Sequence, residues 1–296
     1  MMSSYAFIRR DEVLFLLLWS SGYIGAKFGL PHAGTYTLLF LRYVLCVAVA
    51  AFIVSIRGDW QCPDISTFIT GFLAHFVWLV AILKAFEFGI GAGAAALIAA
   101  MQPVLMGFLA PLLLGEKNNW LQWAGIAVGF VGVIIFIGAD QRATEAALWV
   151  YLLPMLATAS LTCITLSERR RAGRPACTMP VFTALFWQGL LTAILLLPLA
   201  IFDEGFAATI NGELIFAVIW LGIIVSVLAY GQMFRLIRTR NATRVSALQY
   251  FVPPVTMIIA WIVFGETLTL NGLMGLGVTS MGFWLIYRGE GQQIPR

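Results

Sequence analysis

Ten apolar runs, each about long enough to cross a bilayer, constrain this chain more than anything else in it. They lie at roughly 13–30, 36–56, 66–88, 91–114, 118–138, 148–166, 178–202, 213–235, 244–264 and 270–287. A helix needs about 20 mostly apolar residues to span the hydrocarbon core. The runs are continuous rather than alternating, which selects helices over a membrane β-barrel. Of the 296 residues, 61% are hydrophobic and 11% charged, against about 25% charge in an ordinary soluble domain. A soluble fold of this length has no interior large enough for that much apolar surface. The expectation is therefore an all-α membrane protein with short connections and no extramembrane domain.

Orientation follows from Lys and Arg, which concentrate on the cytoplasmic side of bilayers. With the N-terminus inside, the inner pieces hold Arg9, Arg10, Arg57, Lys117, Arg169, Arg170, Arg171, Arg174, Arg235, Arg238, Arg240, Arg244, Arg288 and Arg296, 14 of the 18 basic residues. Arg142 alone falls in an outer loop, and Lys27, Arg42 and Lys84 fall within helices. Both termini are then cytoplasmic, which requires an even number of spans and agrees with ten. The stretch before the first run lacks a small-residue cleavage pattern, so that run is expected to be a membrane helix and not a removed signal. The net charge of +4 belongs to this loop bias and gives no reason to expect a nucleic-acid partner.

The sequence also repeats itself. Shifted by 150 residues, 92–138 lies over 242–288 without a gap: Ala92 on Ala242, Pro103 on Pro253, Ala110 on Ala260, Gly115-Glu116 on Gly265-Glu266, Gly125 on Gly275 and Gly132 on Gly282. Scattered glycines coincide by chance in small-residue helices; a proline, a Gly-Glu pair and two glycines in one register argue for duplication. The expected units are residues 1–141 and 142–296. Five helices per unit is odd, so the second unit is inverted relative to the first. Inverted repeats are a recurrent device for alternating access around a mid-membrane site.

Those repeated segments carry a family resemblance. Pro103–Glu116, followed by Trp120 and the glycines 125, 129 and 132, resembles the fourth and fifth helices of EamA-type transporters, and so does Pro253–Glu266 with Leu270 and Gly275–Gly282. Trp19-Ser20-Ser21-Gly22-Tyr23 resembles the first helix of that family and Leu41-Arg42-Tyr43 its second. The chain is thus similar over nearly its whole length to ten-helix members of the drug/metabolite transporter superfamily. The resemblance implies a secondary transporter of a bacterial inner membrane, often an exporter of amino acids or related metabolites. Small four-helix relatives rely on a carboxylate in the first helix. Residues 13–30 and 148–166 here contain no Asp or Glu, so that chemistry does not carry over.

Charged and polar groups inside a membrane are costly and mark pathways or pairs. Lys27, Arg42 and Lys84 lie toward one face and suggest a basic vestibule for a carboxylate or phosphate; the alternative for Lys27 and Lys84 is snorkelling to headgroups. Arg42 either lines a cavity or pairs, with Glu87 as a candidate partner. His75, near the middle of the third helix with Trp78 one turn on, is a candidate coupling group, since imidazole titrates near neutral pH, or else a packing residue. Trp19, Ser20, Tyr23, Trp78, Gln102, Trp187, Gln188 and Tyr230 complete the candidate cavity, with interhelical hydrogen bonding as their other reading. Pro103 and Pro253 are expected kinks. Gly125xxxGly129 either stitches the halves together or forms a dimer, leaving monomer and homodimer open.

Other classes fit less well. Cys46, Cys62, Cys163 and Cys177 form no CxxC, and with only two histidines no metal or cofactor site is expected. An intramembrane enzyme needs clustered catalytic groups that the sequence does not offer. Export of neutral or aromatic amino acids leads; export of cationic drugs and sugar-phosphate or nucleotide exchange are the alternatives. The expected partners are a small-molecule substrate and the lipid bilayer.

Overall fold

The computed structural model describes residues 8–90, 95, 98–137, 147–172, 179–265 and 270–291. Arg142, Arg174, Cys177, Glu266, Arg296, Ala92 and most of the small-residue stretch around it lie outside the described residues. Within them the chain is almost wholly helical, as ten rods in sequence order. α1 comprises Arg10–Ser20 and Gly22–Gly29, separated by a turn at Ser21. α2 is Thr35–Arg57. α3 runs Ile65–Gly71, then as a π-helix over Phe72–Val77, then Trp78–Glu87. α4 is Gln102–Leu114 and α5 Trp120–Ile137. α6 joins a 3-10 turn, Leu148–Tyr151, to Leu152–Ala172. α7 is Val181–Phe202. α8 runs Gly212–Ile219, a π-helix over Trp220–Ala229, and Tyr230–Thr239. α9 runs Ala242–Ala247, a 3-10 turn Leu248–Phe251, and Val252–Phe264. α10 is Leu270–Gly291. Seven of these are long and apolar enough to cross a membrane. The break at Ser21 divides α1, and the described parts of α4 and α5 are shorter.

The 150-residue register reappears in the geometry. α4 begins at Gln102 and ends at Leu114; the last segment of α9 begins at Val252 and ends at Phe264. Each stops at a left-handed glycine, Gly115 at φ 70° and Gly265 at φ 66°, where a side chain would be strained. The π stretches of α3 and α8 also correspond.

Corresponding rods pack antiparallel. Arg57 at the end of α2 lies over Phe182 at the start of α7, while Phe40, early in α2, meets Phe206 just beyond α7. Along α5 and α10, Asn119 donates to the Gly289 carbonyl at 2.8 Å. A Cβ on Gly125 would sit 2.5 Å from the Gly282 oxygen, and one on Gly132 2.6 Å from the Thr279 nitrogen. This seam is backbone against backbone, so the GxxxG glycines are used within the chain. α1 lies along α8, and α3 along α6, also antiparallel: Trp220 reaches Ser21 and Gln232 reaches Asp11, while Thr70 meets Glu168 and Phe88 meets Trp149.

Charge segregates to the two ends. At the basic end, Glu12 pairs with Arg244 at 2.6 Å, both almost fully buried. Asp11 pairs with Arg240, Glu168 with Arg238, Glu116 with Arg169 and Asp64 with Arg171. At the opposite end Glu204 accepts from the first amides of α2, at Tyr36 and Thr37, and His32 meets Glu213. α1 starts at Arg10 and α6 continues to Ala172, beyond the apolar runs that mark them in sequence. That extension makes Glu12 and Glu168 helix residues that are 0% and 1% exposed. Their arginine partners supply the counter-charge that burial demands.

Candidate functional site

Several rods lose their regular hydrogen-bond ladder near mid-length, and the polar side chains gather where they do. α1 turns at Ser21, and the indole of Trp220, the first residue of the α8 π stretch, donates to the Ser21 hydroxyl at 3.1 Å and carbonyl at 3.2 Å. Proline lacks an amide hydrogen and is tolerated in a first helical turn. Pro103 and Pro253 accordingly stand in the first turns of α4 and of the last segment of α9. The expected kinks are therefore helix restarts. Ser20 points its hydroxyl at the Val252 carbonyl, 3.5 Å away, beside the second of these.

His75 lies in the π stretch of α3 and ties three rods together. Its Nδ1 is 2.8 Å from the Tyr43 hydroxyl on α2, and its Nε2 is 3.2 Å from Gln188 Oε1 on α7. An amide oxygen only accepts, so Nε2 carries the proton and Nδ1 receives the Tyr43 hydroxyl. Tyr230 of α8 packs on the imidazole at 4.3 Å between ring centroids, and its hydroxyl donates to the Ala74 carbonyl. The aromatic contact continues to Trp19 at 4.9 Å from Tyr230, and from Trp19 to Trp78 at 5.3 Å. Residues of α1, α2, α3, α7 and α8 thus form one connected polar and aromatic cluster.

Arg42 stands at the edge of this cluster, 5.4 Å from the Tyr43 ring. It is 4% exposed. Its Nε donates to Ser226 Oγ in the α8 π stretch at 2.6 Å, and its Nη2 has no partner. Among the described residues no carboxylate pairs with it. Glu87 is not its partner: Glu87 meets Lys84 at 2.9 Å, and Asp203 is 3.5 Å from the same ammonium. The three cations have different neighbours. Lys27 lies 3.9 Å over the Phe264 ring on α9 and Lys84 4.3 Å from the Tyr36 ring, while Arg42 is held by Ser226 of α8.

The remaining candidates separate. Gln102 is buried, 3.5 Å from the Thr165 hydroxyl of α6, with its own carbonyl oxygen unpartnered. Tyr23 is 41% exposed and meets Phe264 edge to face. Trp187, one residue from the inward Gln188, turns to the α2–α3 connection, where its indole donates to the Gln61 carbonyl. That is an anchoring position at the bundle edge and not part of the cluster. Ser226, Thr165, Glu12 and Glu168 have no signal of their own in the sequence. Ser226 becomes legible only once α2 and α8 are known to touch, and the two glutamates only once the helix ends are known.

Helices interrupted in mid-membrane around a buried polar and aromatic centre are the architecture of secondary transporters. Comparison with known proteins agrees. The model of the EamA-like transporter family matches residues 13–138 and 148–288, and the chain belongs to that family. It is a multi-pass membrane transporter and not an enzyme. A Salmonella typhimurium protein named "Probable amino-acid metabolite efflux pump" is 26% identical over 289 residues, covering 94% of each chain. A Streptantibioticus cattleyicolor protein named "Probable terminal-alkyne amino-acid exporter" is 28% identical, covering 93% of this chain and 92% of its own. One solved crystal structure shares the fold, with a TM-score of 0.79 over 96% of this chain and 98% of its own, at 19% identity.

Proposed function

We propose that this transporter exports amino acids, neutral or aromatic ones and close metabolites, across the bacterial inner membrane by alternating access. The observation that carries the substrate class is Arg42. A guanidinium buried in a membrane bundle, with no carboxylate among the described residues beside it and one nitrogen unpartnered, leaves a strong donor for a substrate carboxylate. The contiguous rings of Tyr43, His75, Tyr230, Trp19 and Trp78 offer an apolar and π surface for a side chain, and Gln188 and Gln102 supply amide groups. A cationic drug would meet Arg42 unfavourably. A sugar phosphate calls for several converging cations, and Lys27 and Lys84 are engaged elsewhere.

In this reading residues 1–141 and 142–296 are inverted repeats that rock about the α5–α10 seam, with the basic end in the cytoplasm. The antiparallel packing of corresponding rods and the two family matches support it. The ion pairs at the basic end would close the cytoplasmic side and part when it opens. The test is counterflow of radiolabelled amino acids in liposomes holding the purified protein. Wild type is expected to exchange neutral and aromatic amino acids, and Arg42→Gln to abolish exchange while the protein still inserts. Absence of counterflow across a broad amino-acid panel, in folded protein, defeats the assignment.

A further inference from the structure

Between α1, the end of α2, the start of α7 and α8 lies a groove of about 520 Å³ at the basic end of the bundle. The transport reading above does not use it. Its walls are apolar, built by Leu14 and Leu18 of α1, Phe182 of α7, and Val227 and Leu228 of α8. Leu14 and Leu228 are 49% and 43% exposed, so the groove opens sideways to lipid rather than along the bundle axis. Two arginines, Arg57 and Arg235, stand on its lining. Arg238 also lines it but is committed to Glu168 and to the Met179 carbonyl. Arg57 rests on the Phe182 ring, 4.8 Å from its centroid. Among the described residues neither Arg57 nor Arg235 has a carboxylate partner, although Arg169, Arg171, Arg238, Arg240 and Arg244 at the same end are each paired with one.

We infer that this groove is a binding site for an anionic phospholipid of the adjoining leaflet. Its chemistry has two parts that only an amphiphile satisfies together: a hydrocarbon trough, and two uncompensated guanidinium groups where a phosphate would sit. A lipid phosphate accepts hydrogen bonds from the donors of Arg57 and Arg235, while its acyl chains lie along the leucine and valine walls. Basic groups close to an anionic leaflet are drawn to it electrostatically. A zwitterionic lipid gains less, because its own ammonium repels the two arginines. A free amino acid gains less still, since it has nothing to lay along the trough.

The experiment compares lipid retention. The purified protein is equilibrated in nanodiscs of equal phosphatidylglycerol and phosphatidylcholine, extracted into mild detergent, and examined by native mass spectrometry. Wild type is expected to keep phosphatidylglycerol at least about fivefold over phosphatidylcholine. Arg57→Gln with Arg235→Gln should bring that ratio near one, while Arg288→Gln, on α10, which contributes nothing to the groove lining, leaves it unchanged. Leu228→Trp, which fills the trough and keeps both arginines, should lower total retained lipid and tests the site even where the double variant assembles poorly. Equal retention of the two lipids by wild type, or retention unaltered by both the double variant and Leu228→Trp, overturns the inference. Displacement of the lipid by millimolar transported amino acid also overturns it, by making the groove a substrate path.

Discussion

At the scale of single residues, the proposed substrate site turns on Arg42. Lysine keeps the charge but not the planar fork that holds Ser226 with one nitrogen and leaves another free. Arg42→Lys is therefore expected to retain insertion and lose most exchange, at least about tenfold in initial rate. His75 presents a different case. Both ring nitrogens are engaged, by Tyr43 and Gln188, which is the environment of an orienting group. The pH dependence of exchange should survive His75→Gln even as the rate falls; a flattened profile would make His75 the coupling group instead. Asp64, which caps α3 outside the membrane, carries a separate pH prediction. Partial burial pushes its carboxyl up, but the Thr67 hydroxyl and amide and the Arg171 guanidinium outweigh that and hold it below the usual 3.8. A depressed carboxyl contributes stability above its unfolded value and loses it as pH falls through the folded one. A ¹³C titration of the labelled carboxyl should place the Asp64 midpoint below 3.8, and Asp64→Ala should remove the acid sensitivity of the α3 start.

Among helices, the buried pair between Glu12 of α1 and Arg244 of α9 has the largest predicted effect. Removing one member leaves an uncompensated charge, a loss of about 3–5 kcal/mol. Glu12→Gln is expected to lower the unfolding temperature in detergent strongly, and Glu12→Leu with Arg244→Met to recover much of the loss. Full additivity of the two losses would mean the pair is not coupled. The elements also show where sequence reading stops. Apolar runs and the 150-residue register locate all ten rods, because a membrane span is set by length and hydrophobicity alone. They miss the ends of α1 and α6, since charged residues there read as loops until an arginine from another rod is known to neutralise them. The π stretches have no compositional mark: Phe72–Val77 is as apolar as its surroundings. His75, Trp19 and Tyr230 stand out as residue types, yet the Tyr43–His75–Gln188 chain needs the packing of α2, α3 and α7 to appear. Trp187 and Gln188 look equivalent in sequence and differ because one helical step rotates them by 100°.

For the molecule as a whole, the proposed alternating access would require the basic end to open. Cysteines at positions 11 and 240, whose native side chains meet at 2.8 Å, should permit a bifunctional methanethiosulfonate to tie α1 to the α8–α9 connection. Exposed Cys62 and Cys163, and Cys177 of the α6–α7 connection, are replaced first. Crosslinking is expected to stop exchange, and reduction to restore it. Unchanged exchange in fully crosslinked protein would rule out opening at that end. The seam of α5 and α10 imposes a different kind of rule. Alanine at Gly125, Gly132 or Gly282 would press a methyl group into the opposing main chain, which a side-chain rearrangement cannot relieve, at about 1–3 kcal/mol or more. A saturation-mutagenesis map of this protein would then show a continuous line of intolerance along two helices that lie outside the proposed substrate cluster. Read without the structure, such a map would point away from the proposed binding site and toward the seam.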